Sequence, residues 1–215
     1  MNTFSKIIII IISTLIILVC AYSKSIIVKE GLTGNNTIVL IGDSVINNSN
    51  YVPNGKSVVS VLETKTNNIV HLAKDGATIM DLYGQLDNVP VELNRSSSYV
   101  FISAGGNDIL KNKNGDVKAL FNKYMDFMKS LRVRLGSAKI NILNVYLPAN
   151  PRYQSYKKSV DIWNQLLEEN SNKIGEMYNV VDIHSLLTGP EDFVYDIEPS
   201  ELGSKKIANA IYYTS

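Results

Sequence analysis

Short apolar runs bounded by turn residues recur along the chain from residue 37 onwards. Each run ends near Gly, Asp or Pro, and uninterrupted runs of this length are typical of strands that are buried on both faces. The runs are Thr37–Ile41, Ile69–Ala73, Tyr99–Ser103, Ile140–Leu147 and Tyr178–Ile183. They predict five strands, none of which has a face open to solvent.

Segments with helical spacing lie between these runs. In residues 116–135, apolar side chains recur every three or four positions, as on one face of an amphipathic helix. Similar spacing predicts helices over 57–63, 78–86, 153–174 and 200–213. Strands that alternate with helices predict an α/β domain of three layers (αβα), in which a five-stranded parallel sheet has flavodoxin-like topology.

The first 21 residues differ from the rest of the chain. Lys6 precedes an apolar run, residues 7–21, that at about 15 residues is shorter than the roughly 20 needed to span a bilayer. The run predicts either a signal peptide cleaved after Ala21 or a retained membrane anchor; a lipoprotein signal at Cys20 is a weaker alternative. Residues 22–36 are polar and predict a linker to the domain at 37–215. We therefore expect a protein that is secreted or tethered to the membrane through residues 7–21.

Composition narrows the classes of function. The 215 residues include 21 basic and 20 acidic side chains, and the net charge of +1 gives no electrostatic footprint for nucleic acid. The one cysteine, Cys20, lies in the N-terminal run, so the domain should have neither a disulfide nor thiol chemistry. Because the two histidines, His71 and His184, are far apart in sequence, no zinc site is expected.

Three turns that directly follow predicted strands carry the candidate chemistry, because ligands of such sheets bind beyond the carboxyl ends of the strands. The first turn is Gly42-Asp43-Ser44, which supplies a hydroxyl group. The second is Asp75-Gly76, where glycine lets the backbone approach a ligand. The third is Gly105-Gly106-Asn107-Asp108, whose Asn107 amide suits a developing oxyanion. Each turn alone is also explained by ordinary turn formation or helix capping.

Together, the order and placement of the three turns resemble the SGNH (GDSL-type) hydrolases, from about Thr37 to the C-terminus. The resemblance implies the SGNH hydrolase fold and a serine esterase that needs no metal or organic cofactor. It implies Ser44 as the nucleophile, with an oxyanion hole formed by the amides of Ser44 and Gly76 and the side chain of Asn107. The implied substrate is a small-molecule, glycan or lipid ester.

This chain differs from that family's usual pattern in the last sequence motif, which lies near the C-terminus. The family ends in Asp-x-x-His before a last helix, whereas this chain reads Tyr195-Asp196-Ile197-Glu198-Pro199-Ser200. Alignment on Pro199-Ser200 places Glu198 at the histidine position, with Tyr195 at the aspartate position. The stretches Tyr51-Val52, 75–78 and 197–200 are similar to an SGNH-like subgroup in which this glutamate is a shared trait.

Glu198 is therefore the candidate general base, and Asp196 is a candidate support for it. Burial could raise the pKa of a glutamate towards the range useful for catalysis. His184 and His71 are weaker candidates, and Trp163 and the tyrosines of 146–156 are more simply explained by packing. Two other functions stay open: a binding domain that lost its general base with the family histidine, and a tethered surface protein.

Overall fold

The structure, a computed structural model, describes residues 36–113, 115–173 and 178–215. The predicted signal or anchor at 1–21, and the linker at 22–36 apart from its last residue, lie outside the described residues. Within the described ranges, no helix is both long enough and apolar enough to cross a membrane.

Five parallel strands form the central sheet, in the order β2-β1-β3-β4-β5. Their bounds are β1 Thr37–Gly42, β2 Ile69–His71, β3 Ser98–Ser103, β4 Lys139–Leu143 and β5 Asn179–Val181. This order is the flavodoxin-like one, in which the chain reverses its winding between β1 and β3. The predicted α/β fold with a five-stranded parallel sheet is confirmed.

Six α-helices are described between and after these strands. Their bounds are α1 Val58–Glu63, α2 Asp81–Asp87, α3 Gly106–Lys111, α4 Val117–Arg134, α5 Lys157–Lys173 and α6 Glu201–Thr214. Side-chain caps fix several starts: Asp116 accepts hydrogen bonds from the amides of Lys118 and Ala119 at α4, and Ser200 accepts one from Gly203 at α6.

The helices cover both faces of the sheet. On one face, alternate residues of β1, β3 and β4 pack against Leu82 of α2, Phe127 of α4 and Trp163 of α5. The intervening residues, such as Leu40 and Phe101, are fully buried on the opposite face, where α1 and α6 pack together. Burial of both faces accounts for the uninterrupted apolar runs in the sequence.

The structure differs from the sequence prediction in several local features. Strand β2 ends at His71 instead of residue 73, and β5 ends at Val181 instead of residue 183. Strand β4 ends at Leu143 instead of residue 147, because the apolar residues 145–147 line a cavity and do not extend the sheet. Helix α3 was not predicted from the apolar pattern. A short antiparallel hairpin, β6 Phe193–Val194 with β7 Glu198–Pro199, was not predicted either.

Candidate active site

Ser44 lies just beyond the carboxyl end of β1, in a turn that the sequence fixes tightly. The preceding Gly42 has a φ of +140°, and a Cβ there would lie 2.3 Å from the Ser103 carbonyl oxygen. The buried side chain of Gln85 accepts a hydrogen bond from the Gly42 amide (2.7 Å) and donates one to its carbonyl (2.9 Å). Only glycine fits this close approach. Ser44 lies in the turn that follows and is buried, with 8% of its surface exposed.

Asp43 is buried beneath Ser44. Its carboxylate accepts hydrogen bonds from the Ser103 hydroxyl and, at 3.1 Å, from the amide of Val45. Burial raises the pKa of Asp43 to about 7, against the opposing effect of the Ser103 hydrogen bond, and the nearby charge of Glu198 adds to the rise. Asp43 therefore joins the turn of β1 to the end of β3, and at neutral pH it titrates in the folded protein.

Glu198 is the first residue of β7, and it lines the same cavity as Ser44, near enough for the Ser44 hydroxyl to influence the pKa of its carboxyl group. Its Oε2 atom is buried and has no hydrogen-bond partner among the described residues. Burial raises the pKa of Glu198, and the charge of Asp75 raises it further, while the interaction with Ser44 lowers it. A carboxylate with a raised pKa beside a serine hydroxyl is suited to accept that proton.

The hairpin that carries Glu198 contains two non-glycine residues in the left-handed region, Tyr195 at φ +49° and Asp196 at φ +72°. Such residues cost of order 1–3 kcal/mol each and persist when their surroundings hold them. Here the Tyr146 hydroxyl donates to the Ile197 carbonyl (2.9 Å), and Arg152 pairs with Asp196 (3.1 Å). Asp196 thus lies in a surface ion pair, and no hydrogen bond joins it to Glu198 within the described ranges.

Asn48 connects the serine turn to the hairpin that carries Glu198. This fully buried side chain donates to the carbonyl of Pro199 (3.0 Å) and to the hydroxyl of Ser204 (2.6 Å), and it accepts from the amide of Val58 (3.0 Å). Pro199 directly follows Glu198, so Asn48 fixes the distance between the two chain segments that meet at Ser44.

The predicted oxyanion donors come from three turns, those of Ser44, Gly76 and Asn107. Asn107 lines the same cavity as Ser44, and one N–H of its amide donates to the Ala77 carbonyl (2.9 Å), which leaves the other free for a ligand. Gly76, at φ +69°, precedes Ala77 but lines an adjacent depression instead of the cavity. Among the residues that the structure describes, the amides of Ser44 and Gly76 have no acceptor.

A cavity of about 220 Å³ opens in front of these groups. Ser44, Asn107 and Glu198 lie on its wall, together with buried Asp43. Most of the remaining wall is apolar or aromatic; it includes Ile109, Leu110, Leu143, Leu147, Pro148 and Val160, with Tyr146, Tyr153 and Tyr156. The site therefore combines a small polar reaction centre with an apolar chamber, as small-molecule sites commonly do.

Residues 38–211 match the sequence profile of the GDSL-like lipase/acylhydrolase family. The chain belongs to the GDSL-like lipase/acylhydrolase family. Membership supports hydrolysis of ester bonds, in general terms, as the class of reaction. No curated protein matches the chain.

Solved structures of GDSL-family proteins share the fold at low sequence identity. A lipolytic GDSL-family protein from Veillonella parvula is 18% identical, with a TM-score of 0.65 over 81% of this chain and 94% of that chain. The lipase Lip_vut3 from a goat rumen metagenome is 17% identical, with a TM-score of 0.65 over 82% and 95%. A GDSL-like lipase from Bacteroides thetaiotaomicron is 14% identical, with a TM-score of 0.64 over 84% and 89%.

Within this GDSL-family site, the structure brings Ser44, Asn107 and Glu198 to one cavity, places Gly76 beside it and leaves Asp196 on the surface. His184 binds the Val145 carbonyl through Nδ1 (3.0 Å) and does not line the cavity, and His71 is exposed on β2. In the described part of the chain, no group of three or more His, Cys, Asp or Glu side chains is arranged to hold a metal ion.

Several supporting residues were missed by sequence reasoning. The sequence interpretation favoured packing for the tyrosines of 146–156, yet Tyr146, Tyr153 and Tyr156 also line the cavity. Trp163 is fully buried, as that interpretation had it, and packs against Gly105. No sequence signal marked the contacts of Asn48 or Gln85, because each joins parts of the chain that are distant in sequence.

Proposed function

We propose that this protein is a serine esterase in which Ser44 is the nucleophile and Glu198 is the general base. The observation that carries the proposal is that Ser44 and Glu198 line the same cavity, with the Ser44 hydroxyl near enough to lower the pKa of the Glu198 carboxyl group. A nucleophile and a base that face the same cavity are the minimal arrangement for acyl transfer through a covalent intermediate.

In the first half-reaction, the Ser44 oxygen attacks the acyl carbon of the ester while its proton passes to the Glu198 carboxylate. The tetrahedral intermediate then collapses, the bond to the alcohol oxygen breaks, and Glu198 returns the proton to that oxygen. In the second half-reaction, water attacks the acyl-enzyme and gives its proton to Glu198. Collapse of the second intermediate releases the carboxylic acid as the proton returns to Ser44.

The negative oxygen of each intermediate would accept hydrogen bonds from the amides of Ser44 and Gly76 and from the free N–H of Asn107. All three donors lack a competing acceptor in the described part of the chain, which supports this assignment. Donors that are already oriented cost no reorganisation during the reaction, and removing one commonly lowers kcat by about 10²–10³-fold.

The apolar chamber would hold the acyl group. Its volume of about 220 Å³ lies below the roughly 300–1,000 Å³ of pockets for drug-sized ligands, so short acyl chains fit best. The proposal therefore predicts a fall in kcat/KM as the acyl chain of an ester substrate lengthens beyond the chamber.

A fluorophosphonate probe and a series of p-nitrophenyl esters test the proposed function. The full chain should be labelled covalently at Ser44 and should hydrolyse the short-chain esters, and Ser44→Ala should lose both properties. Ser185→Ala is a matched control, because Ser185 is an exposed serine in another turn and should leave both properties intact. An unlabelled, inactive wild-type chain that stays folded would favour the alternative, a binding domain without a working base.

We also infer export of the protein, either secreted or membrane-anchored, from the apolar run at residues 7–21. Fractionation of cells that express the full chain, followed by mass determination of its N-terminus, tests this inference. A signal peptide gives a mature chain that begins at Tyr22, and an anchor gives an intact chain in the membrane fraction. An intact chain in the cytosol would contradict both.

A further inference from the structure

A second concave surface, lined mostly by polar and small residues, lies beside the apolar chamber. This depression has a volume of about 630 Å³, and Ala77 is part of its lining. The Ala77 carbonyl accepts a hydrogen bond from Asn107, which lines the apolar chamber. Lys74, Asp75 and Asn88 also line this depression. The two concave surfaces therefore share one wall, and they differ sharply in chemistry.

A set of three residues joins this depression to the β6–β7 hairpin that carries Glu198. We call this set, Tyr51, Asp75 and Tyr195, the outer rim. The Tyr51 hydroxyl donates a hydrogen bond to Asp75 (2.6 Å), and the Tyr51 ring packs edge-on against the Tyr195 ring at 6.1 Å between centroids. Tyr51 and Asp75 both lie near enough to Glu198 to interact with its charge. None of the three lines the apolar chamber.

Burial does not explain Tyr195. Its side chain is 70% exposed, and its backbone lies in the left-handed region, which is uncommon for a bulky residue. An aromatic ring that is held in solvent at a cost, three residues before the candidate base, offers a flat surface to a ligand.

We propose that the outer rim binds the alcohol part of the ester and that this alcohol is a sugar. The inference rests on the proposed esterase function. A sugar ring presents C–H groups that pack on an aromatic face and hydroxyl groups that donate to a carboxylate, and the outer rim supplies both partners in Tyr195 and Asp75. With an acyl group in the apolar chamber, the alcohol must leave towards the other side of Ser44.

The charges of the depression disfavour other alcohols. Lys74 is opposed by Asp75 and Asp81, so a phosphate-bearing alcohol such as a phospholipid headgroup would meet net negative charge. A long-chain alcohol would find little apolar wall, because Met80 is the one large apolar side chain among the described residues that line the depression. A neutral alcohol with many hydroxyl groups matches both properties.

The first test compares esters that differ only in their alcohol. For the full chain, kcat/KM should be at least tenfold higher for the monoacetates of glucose, galactose and N-acetylglucosamine, or one of them, than for ethyl acetate. Tyr195→Ala should lower that preference roughly tenfold, and Tyr195→Phe should keep it, because the ring face is retained. Tyr213→Ala is a matched control, since Tyr213 is equally exposed (66%) but lies on the C-terminal helix.

The second test measures binding without turnover. Saturation-transfer NMR of the full chain carrying Ser44→Ala should detect the preferred sugar acetate, and the added Tyr195→Ala change should remove the signal. Hydrolysis of ethyl acetate with no sugar preference and no Tyr195-dependent binding would overturn the inference while the esterase proposal stands. Tyr195-dependent sugar binding by a chain that hydrolyses no ester would overturn the esterase proposal, while the sugar-binding site would stand.

Discussion

The proposed nucleophile, Ser44, and the proposed base, Glu198, are held in opposite ways. Ser44 follows a fully buried strand in the interior of the sheet. Its turn is fixed by close backbone packing at Gly42 and by hydrogen bonds from the Gly42 and Asp43 amides to the side chains of Gln85 and Ser103. Glu198 lies on a two-stranded hairpin outside that sheet, with two strained residues and side-chain contacts from Tyr146 and Arg152.

The difference indicates how such a site can change during evolution. A strand in the sheet cannot shift without breaking hydrogen bonds to two neighbouring strands, so the nucleophile turn is constrained by the fold. The hairpin depends on a few side-chain contacts, so its residues can be exchanged with less effect on the sheet. The proposed replacement of the family histidine by Glu198 would be a change of the kind that the second arrangement tolerates.

The largest expected effect is on the hairpin side, for Glu198→Gln. The amide keeps the size of the carboxylate but cannot accept the Ser44 proton, so kcat should fall by roughly 10³–10⁴-fold. Steady-state kinetics on a short acyl ester measures the loss, and thermal unfolding shows that the fold is intact. Glu63→Gln, on exposed α1 surface, is the matched control. Activity within tenfold of the wild type would exclude Glu198 as the base.

The pH profile sharpens the same assignment. A general base must be ionised, so kcat/KM should rise with pH through the pKa of Glu198. Burial raises this pKa above the ordinary value of about 4.3 for glutamate, and the midpoint of the rise should therefore lie above that pH. Loss of this rise in Glu198→Gln would link it to the base.

On the sheet side, Asp43 should make stability depend on pH. Its folded-state pKa of about 7 exceeds the unfolded value of about 3.9, so its contribution is complete below pH 4 and is lost as pH rises through 7. A shift of this size corresponds to on the order of 4 kcal/mol. Denaturant unfolding of the wild type and of Asp43→Asn from pH 4 to 8 measures this contribution. It is the change with pH in the difference between their free energies of unfolding. A constant difference across that range would contradict the raised pKa.

Substitutions at two glycines distinguish the stability cost of a steric overlap from the cost of an unfavourable backbone conformation. Gly42→Ala should reduce the free energy of unfolding by about 3 kcal/mol or more, because the new Cβ would overlap the Ser103 carbonyl. Gly76→Ala, also at positive φ but with open space around the Cβ position, should cost only about 1–2 kcal/mol. Urea unfolding of both variants measures the costs, and equal costs would show that the Gly42 turn is not held by close packing.

The sequence predicted the sheet side well for a physical reason. The strands and the turns at Ser44, Gly76 and Asn107 are local patterns, and parallel strands bring their carboxyl ends to one edge. The contacts that hold the site are not local: Gln85 is 43 residues from Gly42, Ser103 is 60 from Asp43, and Asn48 is 151 from Pro199. No spacing rule in the chain encodes such pairs.

On the hairpin side, only the position of Glu198 followed from the sequence, through its neighbours Pro199 and Ser200. The left-handed turn at Tyr195 and Asp196 lacks the glycine that usually marks such turns, so nothing local indicated it. The same gap left the role of Asp196 open, because a carboxylate two residues from the base can face it or face solvent.

The smallest expected effect tests that role. Asp196→Asn removes the ion pair with Arg152. The side chains of both residues are about half exposed, and exposed pairs contribute roughly 0–1 kcal/mol. Asparagine adopts the left-handed conformation readily, so the turn should persist. We therefore expect kcat/KM within about twofold of the wild type and a stability loss below about 0.5 kcal/mol. Arg152→Gln breaks the same pair from its other end and also removes the contacts of Arg152 with Tyr153, so it should cost at least as much stability as Asp196→Asn. If Asp196→Asn alone lowered kcat by a factor of 10² or more, Asp196 would have to act on Glu198 directly, and the base would depend on more than the hairpin contacts that hold it here.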